Sequence, residues 1–227
     1  MEGFNDDLLI KRTSTADQVA EAIRRRILRG DLTPGTPLRE VAMAKSMGVS
    51  RNTVREGIRV LVGEGLVRHS IHRGVFVARL TAEDIADIYH VRAVLETAAV
   101  SRAHPFPEKA LEEMERTVDG LEAAIKAKDS EGIVDADLKF HQRLVGALGS
   151  PRLSALHATA LTELRLGLFF LDSTDVEERP EDWLMHHREI CVLLRAGRRR
   201  ECVRAVQNHL IYAEDRLVGR MPASNGE

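Results

Sequence analysis

Four residues in the second half of the chain are of the types that bind divalent metal ions. Asp137 and His141 are four residues apart, a spacing that places a carboxylate and an imidazole on one face of a helix. His187 and His209 lie in two later helical segments that can pack antiparallel across a short turn. One carboxylate and three imidazoles suit zinc, nickel, manganese or iron. Alternatively, each is an ordinary surface ion pair or a packing histidine.

A second candidate group is a row of arginines in the first half of the chain. Arg51, Arg55 and Arg59 recur every four residues and would share one face of a helix. An arginine fork can bind a guanine edge or a phosphate through two hydrogen bonds. The same spacing is common on helix faces that only meet solvent, so the arginines alone leave both readings open.

The residues around these arginines predict two short helices and a tight turn between them. Gly48 stands where the first helix ends, and Ser50 is a suitable N-cap for the second. Val54, Ile58 and Leu61 recur at spacings of four and three, which gives the second helix one apolar stripe for packing. This is the pattern of a helix-turn-helix, whose second helix enters the DNA major groove.

A hairpin is predicted to follow the second helix. Leu66–Arg68 and Val75–Val77 have strand composition, and the turn between them contains His69, Ser70, His72, Arg73 and Gly74. Helix-turn-helix and hairpin together predict a winged helix-turn-helix that binds double-stranded DNA. The expected base or phosphate contacts are Arg39, Ser50, Arg51, Asn52, Thr53, Arg55, Arg59, His72 and Arg73.

Charge divides the chain into two parts. Residues 1–79 contain 14 Lys/Arg and 9 Asp/Glu, a net charge of +5, whereas residues 80–227 contain 19 and 26, a net charge of −7. A basic module that faces a polyanion is thus joined to an acidic one. We find no 18-residue apolar run and no signal-peptide pattern at the N-terminus, which predicts a cytoplasmic protein without a membrane partner.

The sequence of the acidic part predicts helices throughout, so the predicted fold class is mainly α. The predicted helices lie near 82–103, 107–127, 131–148, 151–171, 181–196 and 198–218. The polar stretch 172–180 is a candidate cover for a pocket. Cys191 and Cys202 are expected to be reduced packing residues. The expected organisation is a flexible arm (1–13), a winged helix-turn-helix with three helices (14–79), an all-α bundle of six to seven helices (80–221) and a tail (222–227).

The sequences GVSRNTVREGIRVLVGEGLV and HRGVFVA resemble the DNA-binding domain of the GntR family of bacterial transcription regulators. The resemblance covers residues 14 to 79. Asn52 and Thr53 stand where Thr and Pro are usual in the family, and Gly57 replaces the usual Ala. Gly57 is expected to lower the stability of its helix by about 0.5 to 1 kcal/mol relative to Ala, a loss that the fold tolerates.

The acidic part resembles the FCD effector domain of FadR-type members of that family. The matching segments are VRAVLETAA, ADLKFH, HHREI and NHL. The resemblance implies that Asp137, His141, His187 and His209 are metal ligands and that Arg92 faces the pocket and binds a carboxylate. Arg92 can instead form a salt bridge with Glu96. His186 adjoins His187 and is the alternative ligand, but only His187 has the family's H..I spacing. Gly149-Ser150 stands where many relatives have Gly-Asn.

Three functions are compatible with these patterns. The first is a homodimeric transcription regulator, expected to be a repressor, whose affinity for a pseudo-palindromic operator changes when the helical domain binds a metal ion (zinc, nickel or manganese) and a small organic acid. The second is a metal-dependent enzyme of an organic acid with a DNA-binding appendage. The third is a DNA-binding protein whose bundle only dimerises.

Overall fold

The computed structural model describes residues 14–71, 74–103, 105–172 and 180–219. The chain divides into two units, Met1–Val77 and Ala78–Glu227. The predicted arm and tail, both residues of the wing tip (His72 and Arg73) and most of the predicted cover lie outside the described residues.

The first unit contains three helices and a hairpin in its described part. They are α1 (Thr15–Leu28), α2 (Glu40–Met47), α3 (Arg51–Gly63), β1 (Val67–Ser70) and β2 (Gly74–Val77). The strands are antiparallel, with Val67 opposite Val77 and Ser70 opposite Gly74. The hairpin was predicted correctly but its turn was drawn too wide, because His69 and Ser70 pair within β1 and Gly74 begins β2.

Local signals determine the helix ends in this unit. Ser14 caps α1 and accepts a hydrogen bond from the Asp17 amide. Gly48 adopts φ = 66° at the end of α2, where a left-handed backbone is needed. Ser50 caps α3 by accepting from the Thr53 amide at 3.1 Å. The predicted stripe of α3 is buried, and it packs with α1 in the core of the unit.

Gly57 has a packing role that the sequence did not indicate. A Cβ atom at this position would lie 2.9 Å from the Ala16 carbonyl oxygen and 2.9 Å from Val19 Cγ1, both in α1. These distances are shorter than van der Waals contact, so the missing side chain lets α3 approach α1 closely. The expectation that Gly57 is merely a tolerated cost was wrong.

The second unit consists of helices in its described part. They are α4 (Ala82–Arg102), α5 (Glu108–Ala127), α6 (Ser130–Gly146), α7 (Pro151–Asp172), α8 (Pro180–Arg195) and α9 (Arg199–Val218). Thr81 and Asp84 form a capping box at the start of α4. The six predicted helices are confirmed with shifts of a few residues at their ends. No described helix is long and apolar enough to cross a membrane.

Packing in this unit brings distant helices to α4. It contacts α6, α7 and α9, and α8 packs against α5 and α9. Cys191 and Cys202 are buried free thiols, as predicted, and burial raises the pKa of each to about 12. The arrangement surrounds one interior region with residues from α4, α6, α8 and α9.

Candidate functional site

The four predicted metal ligands meet in the interior of the second unit. Asp137 and His141 come from α6, His187 from α8 and His209 from α9, and all four are buried. Their candidate donor atoms lie within 4.8 Å of one another. A groove of about 1040 Å³ between α5, α6 and α7 is lined by none of them. The interior group, rather than the groove, is therefore the candidate site.

Hydrogen bonds from outside the group fix the orientation of two imidazoles. His187 Nδ1 lies 2.6 Å from the Trp183 carbonyl oxygen, which can only accept, so this nitrogen carries the proton. His187 Nε2 lies 3.1 Å from Asp137 Oδ1, and it has no hydrogen-bond partner within the described residues. A proton or a cation between these two atoms would stabilise the pair.

Three separations within the group are close to those between the ligand atoms of a metal site. His141 Nε2 lies 3.1 Å from His209 Nε2 and 3.7 Å from Asp137 Oδ1. Metal–nitrogen bonds of about 2.0 to 2.1 Å in a tetrahedron place neighbouring ligand atoms about 3.3 Å apart. The residues present therefore fit a divalent ion.

The electrostatics of the group also suit a cation. Burial opposes the charged form of Asp137, but its contacts with His141 and His187 hold the pKa of the carboxyl well below its usual range. Burial and the neighbouring histidines hold the pKa of His209 well below its usual value. These shifts favour an ionised Asp137 and a neutral His209, the forms that coordinate metals, whereas the charge of Glu96 raises the pKa of His141.

Glu96 is the hub of a buried network beside this group. It accepts hydrogen bonds from Arg92 Nε at 2.9 Å, His157 Nε2 at 3.1 Å and His141 Nδ1 at 2.7 Å. Burial opposes its charge, but His141 and Arg92 keep the pKa of Glu96 well below its usual range. A carboxylate bonded to the far nitrogen of a ligand histidine orients that ligand, as in many metal sites.

Arg92 forms the salt bridge with Glu96 that the sequence allowed. It pairs with Glu96, and its guanidinium carbon lies 4.8 Å from the centre of the Tyr89 ring. Its Nη2 is buried without a hydrogen-bond partner among the described residues. A salt bridge thus holds the side chain, while one end remains available to an acceptor.

Sequence reasoning missed His157 and the hub role of Glu96. His157 has no partner at helical spacing, and its contact with Glu96 joins residues 61 positions apart. The available signal was its place in a stripe with Leu161 and Leu164, which indicates burial alone. His186 is half-buried and packs edge-on against Tyr212. Among the described residues, it is not one of the four that form the candidate metal group.

The predicted DNA-contact residues of α3 form an exposed row. Arg51, Asn52, Arg55 and Arg59 are exposed, and Thr53 is half-buried at the N-terminal end beside Ser50. Two arginines have acidic neighbours. These pairs are Arg55 with Glu40 of α2 at 2.7 Å and Arg59 with Glu56 at 2.6 Å.

Arg39 is exposed at the N-terminal end of α2. Arg24 is bound within the unit: its Nη2 lies 2.6 Å from Glu64 Oε1, and it also pairs with Glu21.

Comparison with known proteins relates both units to one family. Residues 15–77 match the family described as bacterial regulatory proteins, gntR family, and residues 87–211 match the FCD domain. The chain belongs to the GntR family. This GntR regulator carries an FCD domain, and regulators of the family bind DNA operators.

Individual relatives agree with this assignment. The chain is 31% identical over 140 residues to the gluconate operon transcriptional repressor of Bacillus subtilis, covering 61% of this chain and 57% of that protein. It is 28% identical over 205 residues to a probable D-xylose utilization operon transcriptional repressor of Paenarthrobacter nicotinovorans, covering 88% of each. Its match to several curated relatives spans only about three fifths of their length.

A solved structure extends the similarity over both units. A GntR regulator from Rhodococcus sp. RHA1 is 31% identical, with a TM-score of 0.80, covering 91% of this chain and 99% of that one. The mainly α fold with an N-terminal winged helix-turn-helix is therefore shared with a family member.

Proposed function

We propose that this GntR regulator is a repressor whose affinity for its operator changes when the FCD domain binds a divalent metal ion and a small organic acid. The observation that carries the proposal is the buried meeting of Asp137, His141, His187 and His209 in one group of donor atoms. The gluconate and D-xylose relatives are named as transcriptional repressors, which supports repression as the proposed mode of control.

The four side chains are the proposed ligands of zinc, nickel or manganese. The ion would supply a fixed positive charge that attracts a carboxylate of the effector. Glu96 orients His141, and the Trp183 carbonyl orients His187, so two ligands are held in place by the protein.

The proposed effector is an acid because the helices α4, α8 and α9 carry buried hydrogen-bond donors without a partner among the described residues. Arg92 Nη2, Trp183 Nε1 and His209 Nδ1 are buried and lack a hydrogen-bond partner among the described residues. Buried donors without acceptors are costly, and a carboxylate or hydroxyl oxygen would satisfy them. The operon of one relative handles gluconate, a sugar acid, so sugar acids are the first class to test.

In the DNA-binding domain, α3 is the proposed recognition helix. We assign base-edge or phosphate contacts to Arg51, Asn52 and Arg55 and phosphate contacts to Arg59 and Arg39. Ser50, Thr53, His72 and Arg73 complete the proposed DNA-contacting set.

The proposed regulator is a homodimer, so that two copies of α3 would contact a pseudo-palindromic operator. The proposed dimer surface lies on α4 and α7. These helices are antiparallel neighbours, since His157 contacts Glu96 and a side chain at Gly167 would meet Leu80. Val91, Val94 and Leu156 on their outer surface are 36%, 57% and 62% exposed. Exposed apolar residues on adjacent helices are typical of an interaction surface.

Charge favours a second copy of the chain as the occupant of this surface. Asp87 and Arg102 are exposed on α4, seven and eight residues to either side of Val94. A twofold axis near Val94 would therefore place the acidic end of one α4 against the basic end of the other. Arg152, exposed at the start of α7, adds to the basic end.

Operator binding tests the regulatory proposal. Chelated and metal-reloaded protein is first screened by thermal shift against mono- and dicarboxylates and sugar acids, and the hit is then titrated into protein bound to an operator selected from random DNA. Wild-type protein should change affinity by about 5- to 150-fold, a typical coupling. His209→Ala should bind the operator normally but lose the response, whereas the exposed His90→Ala should keep it. A normal response in His209→Ala contradicts the proposed site.

Sedimentation tests the dimer. Val94→Asp should be monomeric and bind the operator weakly, while Val192→Asp, which alters an equally exposed valine of α8, should remain dimeric. A monomeric wild-type protein, or a dimeric Val94→Asp variant, contradicts the assignment of this surface.

A further inference from the structure

The arginine in the second turn of the recognition helix is held by a carboxylate of the preceding helix. Arg55 Nε donates to Glu40 Oε1 at 3.1 Å, and Nη2 donates to Glu40 Oε2 at 2.7 Å. The glutamate side chain is 22% exposed and the arginine side chain 46% exposed. The acid is therefore the more enclosed partner, and the guanidinium stands further out.

The geometry of this pair leaves the other side of the guanidinium available. Arginine has five N–H donors, arranged as two forks that share Nη2. Glu40 occupies the fork formed by Nε and Nη2, so the end-on fork formed by Nη1 and Nη2 keeps both of its outward hydrogens. That fork matches the O6 and N7 acceptors of guanine. The contact with Glu40 thus fixes the plane of the guanidinium without using the edge that reads a base.

The position of Glu40 also affects the electrostatic attraction between this surface and DNA phosphates. The pKa of Glu40 is lowered, chiefly by its hydrogen bonds with Arg55, and Arg51 and His69 contribute through their charges. A carboxylate set among basic groups weakens their attraction for any phosphate, since like charges repel. Affinity for unrelated DNA depends on that attraction, whereas base readout depends on geometry.

We propose that Glu40 is a positioning residue that sets operator specificity by holding Arg55 for a guanine edge and by limiting phosphate binding. The inference rests on the proposed role of Arg55 in DNA contact. It assigns to an acidic residue outside the recognition helix a function in sequence discrimination.

The test compares Glu40→Gln with Glu56→Gln, because both remove a carboxylate paired with an exposed arginine of α3. Full-length protein is titrated with the selected operator and with an unrelated duplex at two salt concentrations. For Glu40→Gln the ratio of the two affinities should fall about tenfold, with unrelated DNA bound as well as before or more tightly. For Glu56→Gln the ratio should stay at the wild-type value. An unchanged ratio in Glu40→Gln, or an equal loss on both duplexes, overturns the proposal.

Further variants separate this inference from the proposed function. Glu40→Asp keeps the charge but shortens the reach, so it should also lower the ratio; a wild-type ratio would show that charge alone matters and overturn the positioning role. Arg55→Ala should weaken operator binding by about 5- to 150-fold, and adding Glu40→Gln to it should lower the ratio by much less than in the wild type, because only the effect of Glu40 on phosphate binding then remains. If Arg55→Ala binds the operator normally, then Arg55 does not contact the operator as proposed, and the role of Glu40 is contradicted as well. If Arg55→Ala weakens binding while Glu40→Gln keeps the ratio, only the inference fails.

Discussion

Each unit of the chain contains a glutamate paired with an arginine, and the two pairs differ in burial. Arg92 and Glu96 are 1% and 0% exposed within the FCD domain, whereas Arg55 and Glu40 are 46% and 22% exposed in the DNA-binding domain. Glu96 also accepts hydrogen bonds from two histidines, while Glu40 accepts two from Arg55. The same chemistry thus produces a buried internal network in one domain and a partly exposed surface pair in the other.

The burial of a charged network determines what its removal does. A buried ion whose partner is deleted is left without solvent or a counter-charge, whereas an exposed ion is simply hydrated. The FCD network should therefore be critical to folding, and the surface pair should matter mainly when DNA is bound.

The largest expected effect follows from removing the hub. Glu96→Ala leaves Arg92 and two histidines without their acceptor, and we expect the free energy of unfolding of the FCD domain to fall by about 3 to 5 kcal/mol. Urea unfolding followed by circular dichroism measures it. Glu115→Ala removes one of the two exposed partners of Arg195, the other being Glu108; it is the control and should cause a far smaller change. Equal effects of the two substitutions would remove the distinction between buried and exposed pairs.

A medium effect is expected in the core of the DNA-binding domain. Gly57→Ala places a methyl group 2.9 Å from atoms of α1 and should destabilise this domain by about 1 to 3 kcal/mol. Gly63→Ala, at a position with no atom within 4 Å of the added Cβ, should instead stabilise α3 by up to about 1 kcal/mol. Thermal unfolding of both variants checks the signs; a gain in Gly57→Ala would show that helix propensity outweighs the close contact.

The smallest effect concerns the surface pair and depends on pH. The pKa of Glu40 is lower in the folded protein, so its contribution to stability is present above the unfolded value of about 4.3 and is lost as pH falls through the folded value. Glu40→Gln should therefore have a slightly lower Tm than wild type at pH 7, and the difference should vanish once the pH is low enough to protonate Glu40 in the folded protein. A difference that persists in acid would mean that Glu40 stabilises the fold by something other than its charge.

Local sequence signals predicted most of the architecture. The Ser50 cap, the Gly48 turn and the apolar stripe of α3 depend on neighbours a few residues away, and these features are present in the structure. The ends of the hairpin were less certain because strands this short contain too few alternating positions to fix their length.

Contacts between residues distant in sequence were not predictable in the same way. The bonds of Glu96 to His141 and His157 span 45 and 61 positions, and Arg24 meets Glu64 across 40 positions. The close approach at Gly57 likewise depends on α1. The four candidate ligands were predicted from a family resemblance and from the helical spacing of Asp137 and His141. The hydrogen bonds of Glu96 that orient His141 could be seen only in the packed structure.

Metal stoichiometry tests the central claim most directly, namely that the buried group of Asp137, His141, His187 and His209 is a metal centre. Chelated protein is reloaded with zinc, nickel or manganese, dialysed and measured by native mass spectrometry, alongside His209→Ala and His90→Ala. The account predicts one ion per chain in the wild type and in His90→Ala, and loss of the ion in His209→Ala. A wild-type protein that retains none of the three metals, or a His209→Ala variant that retains the ion as tightly as the wild type, would contradict it.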